Sequence, residues 1–149
     1  MTMKASAFLQ ALDDGRIVRA VREAESRTSG EIRVFVSRRR LGRDDVTARA
    51  QAELHRSKIT ATRRRNGVLV YVVPSDRAFA VAGDEAVHAK CRPEFWTETA
   101  AAIEKEFRAG RFTEGLEAGI RRAGELLAAH FPRADDDRNE LPDEIVCDG

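Results

Sequence analysis

Three short steps, each pairing a glycine with a polar residue, could bring oxygen atoms together at one place in the fold. They are Ser29-Gly30-Glu31, Arg65-Asn66-Gly67 and Gly83-Asp84. Each lies at one end of an apolar run that is typical of a strand. Glu31, Asn66 and Asp84 would present carboxylate and amide oxygens, the ligands that hard cations such as Ca²⁺ prefer. The chemistry they predict is the binding of a divalent cation.

The connections between the strands determine whether these residues meet. Ile32–Val36 and Val68–Val73 are predicted strands, and the stretch from Asp44 to Ala61 between them has helical spacing. Asp44 or Asp45 can serve as the helix N-cap. A strand, a helix and a second strand make a right-handed crossover, so the two strands should run parallel as neighbours.

The third predicted strand returns in the opposite direction. The tight connection Pro74-Ser75-Asp76-Arg77 joins the second strand to Ala78–Ala82, which predicts an antiparallel hairpin. The starts of the first two strands and the end of the third then share one edge of the sheet. We therefore expect Glu31, Asn66 and Asp84 to lie close together.

Helical periodicity accounts for most of the remaining chain. The predicted helical segments are Ala5–Leu12, Arg16–Arg27, Asp84–Lys90, Pro93–Arg108 and Phe112–His130. The fold class is α/β: a small open sheet of three or four strands, with one parallel crossover and one antiparallel hairpin, between helices on both faces. We expect one domain over residues 1–132 and an acidic, largely irregular tail over residues 133–149.

Composition narrows the class of protein. The net charge is +1, although the tail from Arg133 carries seven acids and two arginines. No stretch approaches the ~20 apolar residues of a membrane helix, and the N-terminus lacks the pattern of a signal peptide, so we expect a cytoplasmic protein without membrane insertion. Cys91 and Cys147 are expected to be reduced. The triplets Arg38–Arg40 and Arg63–Arg65 do not predict nucleic-acid binding, because the pI is only about 7.9.

Each candidate ligand also has a structural interpretation. Asp84 could be a helix N-cap, Glu31 could accept hydrogen bonds from Arg63–Arg65, and Asn66 could be a turn residue. Other candidates at the same edge are Glu85 as a further ligand, His88 as an acid or base, and the glycines Gly30, Gly67 and Gly83. The sequence has no zinc-ligand spacing and no Walker loop, so no nucleotide or organic cofactor is expected.

Several segments in order along the chain resemble the TPM domain family, in its short bacterial branch. They are Thr28 to Val34, Arg65 to Val72, Asp76-Arg77, Gly83-Asp84, Phe95-Trp96, Phe107 to Phe112, Gly124 to Leu127, His130 to Pro132 and Asn139 to Pro142. The resemblance implies a small α/β fold. It also implies a calcium or other divalent-cation site beside the sheet in some members, and acid phosphatase activity in plant members. Relatives tend to carry a second glycine shortly after Gly-Asp, where this chain has Glu85 and Ala86.

Three functions follow as hypotheses. The first is a binding or accessory module with a weak calcium site formed by Glu31, Asn66, Asp84 and Glu85, whose protein partner the sequence does not identify. The second is a metal-assisted phosphatase acting on phosphomonoesters, with Asp84 at the metal and an arginine of Arg63–Arg65 at the phosphate. The third is a structural domain with no ligand. The sequence predicts no oligomeric state.

Overall fold

The computed structural model describes residues 3–56, 66–133 and 145–148. Within them the chain forms six α-helices, one short 3-10 helix (Pro74–Asp76) and four strands. The helices are α1 (Ala5–Ala11), α2 (Asp14–Glu25), α3 (Val46–Arg56), α4 (Glu85–Lys90), α5 (Pro93–Arg108) and α6 (Phe112–His130). The strands are β1 (Glu31–Val36), β2 (Gly67–Val73), β3 (Ala78–Gly83) and β4 (Val146–Cys147).

The four strands form one open, mixed sheet in the order β3-β2-β1-β4. β1 and β2 are parallel, β2 and β3 are antiparallel, and β4 runs parallel to β1 at its outer edge. β2 is buried along its whole length because it lies between two strands and is covered on both faces. The predicted α/β class, the parallel crossover and the hairpin are therefore confirmed.

Alternating side chains of the sheet build two hydrophobic layers. On one face Ile32, Val34, Val68 and Val70 join the larger core formed with α1, α2, α5 and α6. On the other face the strands pack against α3 in a smaller core. Phe35 and Tyr71 stack there with ring centroids 5.4 Å apart. Both faces of the sheet are thus packed against helices, and this packing fixes the positions of the strand ends.

The predicted helices match the observed ones closely. α5 and α6 have the predicted bounds, and Asp45 accepts a hydrogen bond from Ala48 N at 3.0 Å, as an N-cap does. α2 begins and ends two residues earlier than expected. The last residues of the predicted crossover helix, 57–61, and the triplet Arg63–Arg65 lie outside the described residues. The short strand β4 was not anticipated by the sequence pattern.

Candidate functional site

The structure brings Glu31, Asn66 and Asp84 to the same edge of the sheet. Glu31 faces Gly67 across the parallel pair of β1 and β2, and Gly83 faces the next residue of β2 across the hairpin. Asp84 N donates to the carbonyl of Gly67 at 2.9 Å, so the end of β3 is tied directly to the start of β2. We call the set Glu31, Asn66, Asp84 and Glu85 the strand-end cluster.

Asn66 is completely buried, with no solvent-exposed surface. Its amide Nδ2 donates to Ser29 Oγ at 3.1 Å, which fixes the orientation of the side chain. The other amide atom, Oδ1, is buried and accepts no hydrogen bond from any part of the chain that the structure describes. A turn residue would ordinarily satisfy this oxygen, so Asn66 carries an unused acceptor in the interior.

The two carboxylate oxygens of Asp84 have different hydrogen-bonding environments. Oδ1 accepts from Glu85 N at 2.7 Å, which makes Asp84 the N-cap of α4. The side chain is only 5% exposed, and Oδ2 is buried without a hydrogen-bond partner among the described residues. The capping interpretation is therefore correct for one oxygen, and it leaves the second available for a ligand.

The other residues predicted at this edge differ from Asn66 and Asp84 in their exposure or in the contacts that they already make. Glu31 is buried at the start of β1 and already takes part in a polar or electrostatic interaction. Glu85 is exposed as the first residue of α4, and it too has an interaction partner. His88 is exposed, and its ring lies 5.0 Å from the ring of Trp96, measured between centroids. The two ring planes are tilted by 34°, so His88 contacts the indole, and its role as an acid or base stays a prediction.

Two of the edge glycines are required by close packing. A Cβ at Gly30 would lie 2.9 Å from Leu127 Cδ1 and 3.0 Å from the carbonyl oxygen of Asn66. A Cβ at Gly83 would lie 2.5 Å from the Trp96 ring. The glycines therefore let α5 and α6 press against the turns that carry the cluster.

The sequence patterns included Thr28 and Ser29 only as parts of longer segments and gave them no role in supporting the cluster. Ser29 holds the Asn66 amide, and its backbone N–H donates to the carbonyl of Phe131 at 2.9 Å. Thr28 Oγ1 accepts from Gly30 N at 3.0 Å and closes the same turn. The position of Ser29, immediately before the glycine at the start of a strand, is the local signal that could have identified it.

The donor set limits which metal could bind. Within the described residues, no three or more His, Cys, Asp or Glu side chains come together as a potential metal site. The cluster offers carboxylate and amide oxygens instead, which suit a hard cation whose remaining ligands are backbone carbonyls and water. Such a site differs from a zinc site, which uses nitrogen and sulfur ligands.

A mixed four-stranded sheet between two helical layers, with buried oxygens at one strand edge, defines a small α/β domain. The sequence profile of the TPM domain matches residues 3–126, and the chain therefore belongs to the TPM domain family. The resemblance drawn from the sequence segments is confirmed. No match is found among curated proteins.

Solved structures agree with this assignment. The chain is similar to the BA42 protein from the psychrophilic bacterium Bizionia argentinensis, with 39% identity and a TM-score of 0.81 over 92% of this chain and 95% of that one. It is also similar to the N-terminal domain of a P. gingivalis protein, with 18% identity and a TM-score of 0.51 over 78% and 72% of the two chains. The second likeness concerns the fold alone. Among the described residues, none of the helices combines the length and apolar character needed to span a bilayer.

Proposed function

We propose that this TPM domain is a binding module that holds a divalent cation, most favourably Ca²⁺, at the strand-end cluster. One observation supports the proposal above all others. Asn66 Oδ1 and Asp84 Oδ2 are both buried and lack hydrogen-bond partners among the described residues, and they flank backbone atoms that are bonded to each other. Two residues at the same edge of the sheet thus each carry a buried oxygen without a partner among the described residues.

The energetics favour a cation over empty space. A buried acceptor without a partner costs roughly 1–3 kcal/mol, and more when it is charged. A cation bound between Asn66 and Asp84 would satisfy both oxygens, and it would compensate the carboxylate charge in the interior. The same ion would connect the starts of β1 and β2 to the end of β3, so binding should stabilise the fold as well as create a charged surface feature.

The affinity should be modest. Ca²⁺ takes six to eight oxygen ligands, and the cluster supplies at most two carboxylates and one amide at once, since no three acidic side chains come together among the described residues. Backbone carbonyls and several waters must complete the shell. Glu31 and Glu85 would each exchange part of an existing interaction for the metal, which lowers the net gain.

A calcium titration of the ¹⁵N-labelled full chain tests this function. We expect saturable amide shifts confined to the residues around positions 31, 66 and 84. The variant Asp84→Ser keeps a side-chain oxygen for the α4 N-cap but removes the second carboxylate oxygen and the charge. It should weaken calcium binding by ~10-fold or more, equivalent to ~1.4 kcal/mol.

A matched control uses the same substitution at an ordinary cap. Asp13 is exposed and caps α2 by accepting from Arg16 N at 3.1 Å. Asp13→Ser keeps a capping oxygen as Asp84→Ser does, and it should leave calcium affinity unchanged. Calcium should raise the melting temperature of the wild type and of Asp13→Ser, and have little effect on Asp84→Ser. Equal calcium affinity in all three chains would contradict the proposal, and silence in the wild type would favour a structural domain with no ligand.

The phosphatase alternative needs more than the cluster. It calls for a phosphate-binding arginine from Arg63–Arg65, and these residues lie outside the described part of the chain. It therefore stays a prediction from the family resemblance. Turnover of a generic phosphomonoester by the wild type, abolished in Asp84→Ser and retained in Asp13→Ser, would favour it.

A further inference from the structure

The opposite end of β1 holds a small site built around one carboxylate. Asp148, near the end of the chain, lies over the residues that follow β1. Its Oδ1 accepts from Arg38 N at 2.6 Å, and its Oδ2 accepts from the Ser37 hydroxyl at 2.6 Å. Arg39 Nε is 3.8 Å from the same Oδ2. Both carboxylate oxygens are therefore bound, one by the backbone and one by a side chain.

The hydrogen-bond pattern of Ser37 favours an acceptor at this point. Ser37 is completely buried. Its Oγ already accepts from Arg49 Nη2 at 3.2 Å and from Arg39 N at 3.2 Å. A hydroxyl has one proton to donate and two lone pairs. With both lone pairs used, its proton must go to the ligand, and an ionised carboxylate is the strongest acceptor available.

Arg49 holds Ser37 and the loop that follows it in position. It is 8% exposed, and besides Ser37 it donates to the carbonyls of Arg40 at 2.9 Å and Arg39 at 3.1 Å. Its guanidinium carbon lies 6.0 Å from the centre of the Tyr71 ring, within cation–π range. Arg49 is therefore a positioning residue, which holds the loop after β1 in the shape that binds the carboxylate.

The residues before Asp148 bind as an added strand. Val146 and Cys147 pair in parallel with Phe35 and Val36 at the outer edge of the sheet. Ile145 packs against the larger core and Val146 against the smaller one, so successive side chains contact opposite faces of the sheet. Only two residue pairs make this strand, which leaves it short by the standard of ordinary strands of about five residues.

We propose that the end of β1 is a recognition site for an extended acidic segment of a partner protein, in which apolar residues precede an aspartate. The segment ending at Asp148 occupies the site in cis. Strand addition at a sheet edge supplies backbone hydrogen bonds, and the two flanking faces read alternate side chains. The basic residues Arg38 and Arg39 complement the acidic residue that completes the motif. The site lies at the far end of β1 from the strand-end cluster and does not depend on cation binding.

A peptide with the sequence of residues 143–149 can serve as the probe. It is titrated into full-length Asp148→Ala, in which the cis segment has lost its carboxylate, under reducing conditions. We expect saturable amide shifts at Phe35 to Arg39. The same peptide with asparagine in place of its aspartate should bind at least ~10-fold more weakly, because an amide group offers one acceptor where the site provides donors to two oxygens. The wild-type chain should bind the acidic peptide at least ~10-fold more weakly than Asp148→Ala does, because its own segment competes at high effective concentration.

Two further variants keep the test decisive. Asp148→Asn replaces Asp148→Ala should the alanine variant lose its fold. Ser37→Ala, added to either, should abolish the preference for the acidic peptide over the amide peptide. Equal binding of the two peptides to Asp148→Ala, or no binding of either peptide to it, would overturn the proposal. Concentration-dependent dimerisation of the wild type that Asp148→Ala abolishes would assign the site to a second copy of this chain, and would likewise overturn it.

Discussion

The two carboxylate oxygens of Asp84 lie in different surroundings. Oδ1 points at the start of α4 and caps it, while Oδ2 is buried at the edge of the sheet. A serine or asparagine would cap the helix about as well, so capping alone does not require aspartate. The charge at this buried position is the feature that supports the proposed cation site.

The thiol of Cys91 offers a test at the level of a single group. Burial raises the pKa of Cys91 to about 11. In a Cys147→Ser background, we expect alkylation of the native chain to stay slow at pH 8.5 and to rise with pH until about 11, because only the thiolate reacts. The rate is measured by mass spectrometry with iodoacetamide. The urea-unfolded chain is the control, and it should reach half of its maximal rate near the ordinary thiol pKa of ~8.5.

The same group affects stability in alkaline solution. The folded pKa of Cys91 lies above the unfolded value, so its contribution is complete below pH ~8.5 and is lost as the pH rises toward 11. Cys91→Ser should remove this part of the alkaline loss in urea unfolding experiments. A native alkylation midpoint near pH 8.5 would show instead that the thiol is not buried enough to shift.

At the scale of elements, the strand-end cluster depends on how closely helices approach the turns. α5 packs Trp96 against Gly83, and α6 packs Leu127 against Gly30. The turns themselves are short and polar, so they have little hydrophobic area of their own. Contacts from neighbouring helices therefore hold the oxygens in place.

Gly83→Ala tests this dependence. The new Cβ would lie 2.5 Å from the rigid Trp96 ring, so we expect a loss of ~1–3 kcal/mol in the free energy of unfolding. Gly15→Ala is the control, because its Cβ meets only ordinary contacts in α2 and alanine favours a helix. Adding Trp96→Leu to Gly83→Ala should recover part of the loss. Equal urea stability of Gly83→Ala and Gly15→Ala would contradict the packing argument.

At the scale of the whole molecule, α6 connects the core to the cluster. Its buried residues Leu116, Ile120 and Leu127 belong to the larger hydrophobic core. Near its C-terminal end, Phe131 accepts the backbone N–H of Ser29. A substitution in α6 should therefore affect the strand-end cluster only where the substituted residue contacts the turn before β1.

Two matched core deletions separate stability from binding. Leu127→Ala and Ile120→Ala each remove a completely buried side chain and should each cost ~2–5 kcal/mol in the free energy of unfolding. Only Leu127→Ala also leaves a cavity against Gly30, so only this variant should weaken calcium binding, by ~3-fold or more. Urea denaturation and the amide titration measure the two effects. The same calcium affinity in both variants would show that the turn does not rely on Leu127.

The sequence predicted the fold well because most of its determinants are local. Val68–Val73 is apolar at every position, and the observed β2 is buried throughout. The Pro74–Asp76 turn forces β3 back beside β2, and the helical stretch after β1 requires a crossover. By contrast, β4 was missed because two residues in an acidic tail carry no periodic signal, and their pairing with Phe35 and Val36 is a contact between distant parts of the chain.

The amino-acid sequence by itself determined the order and direction of the first three strands, and with them the edge at which Glu31, Asn66 and Asp84 meet. Crossovers and tight turns are properties of neighbouring residues, so spacing was enough. Only the tertiary structure decided which oxygens lack partners among the described residues, because the hydrogen bond that orients the Asn66 amide goes to Ser29, 37 residues away. It alone also paired Ser37 with Asp148 across 111 residues, since long-range hydrogen bonds depend on where packing brings distant segments together.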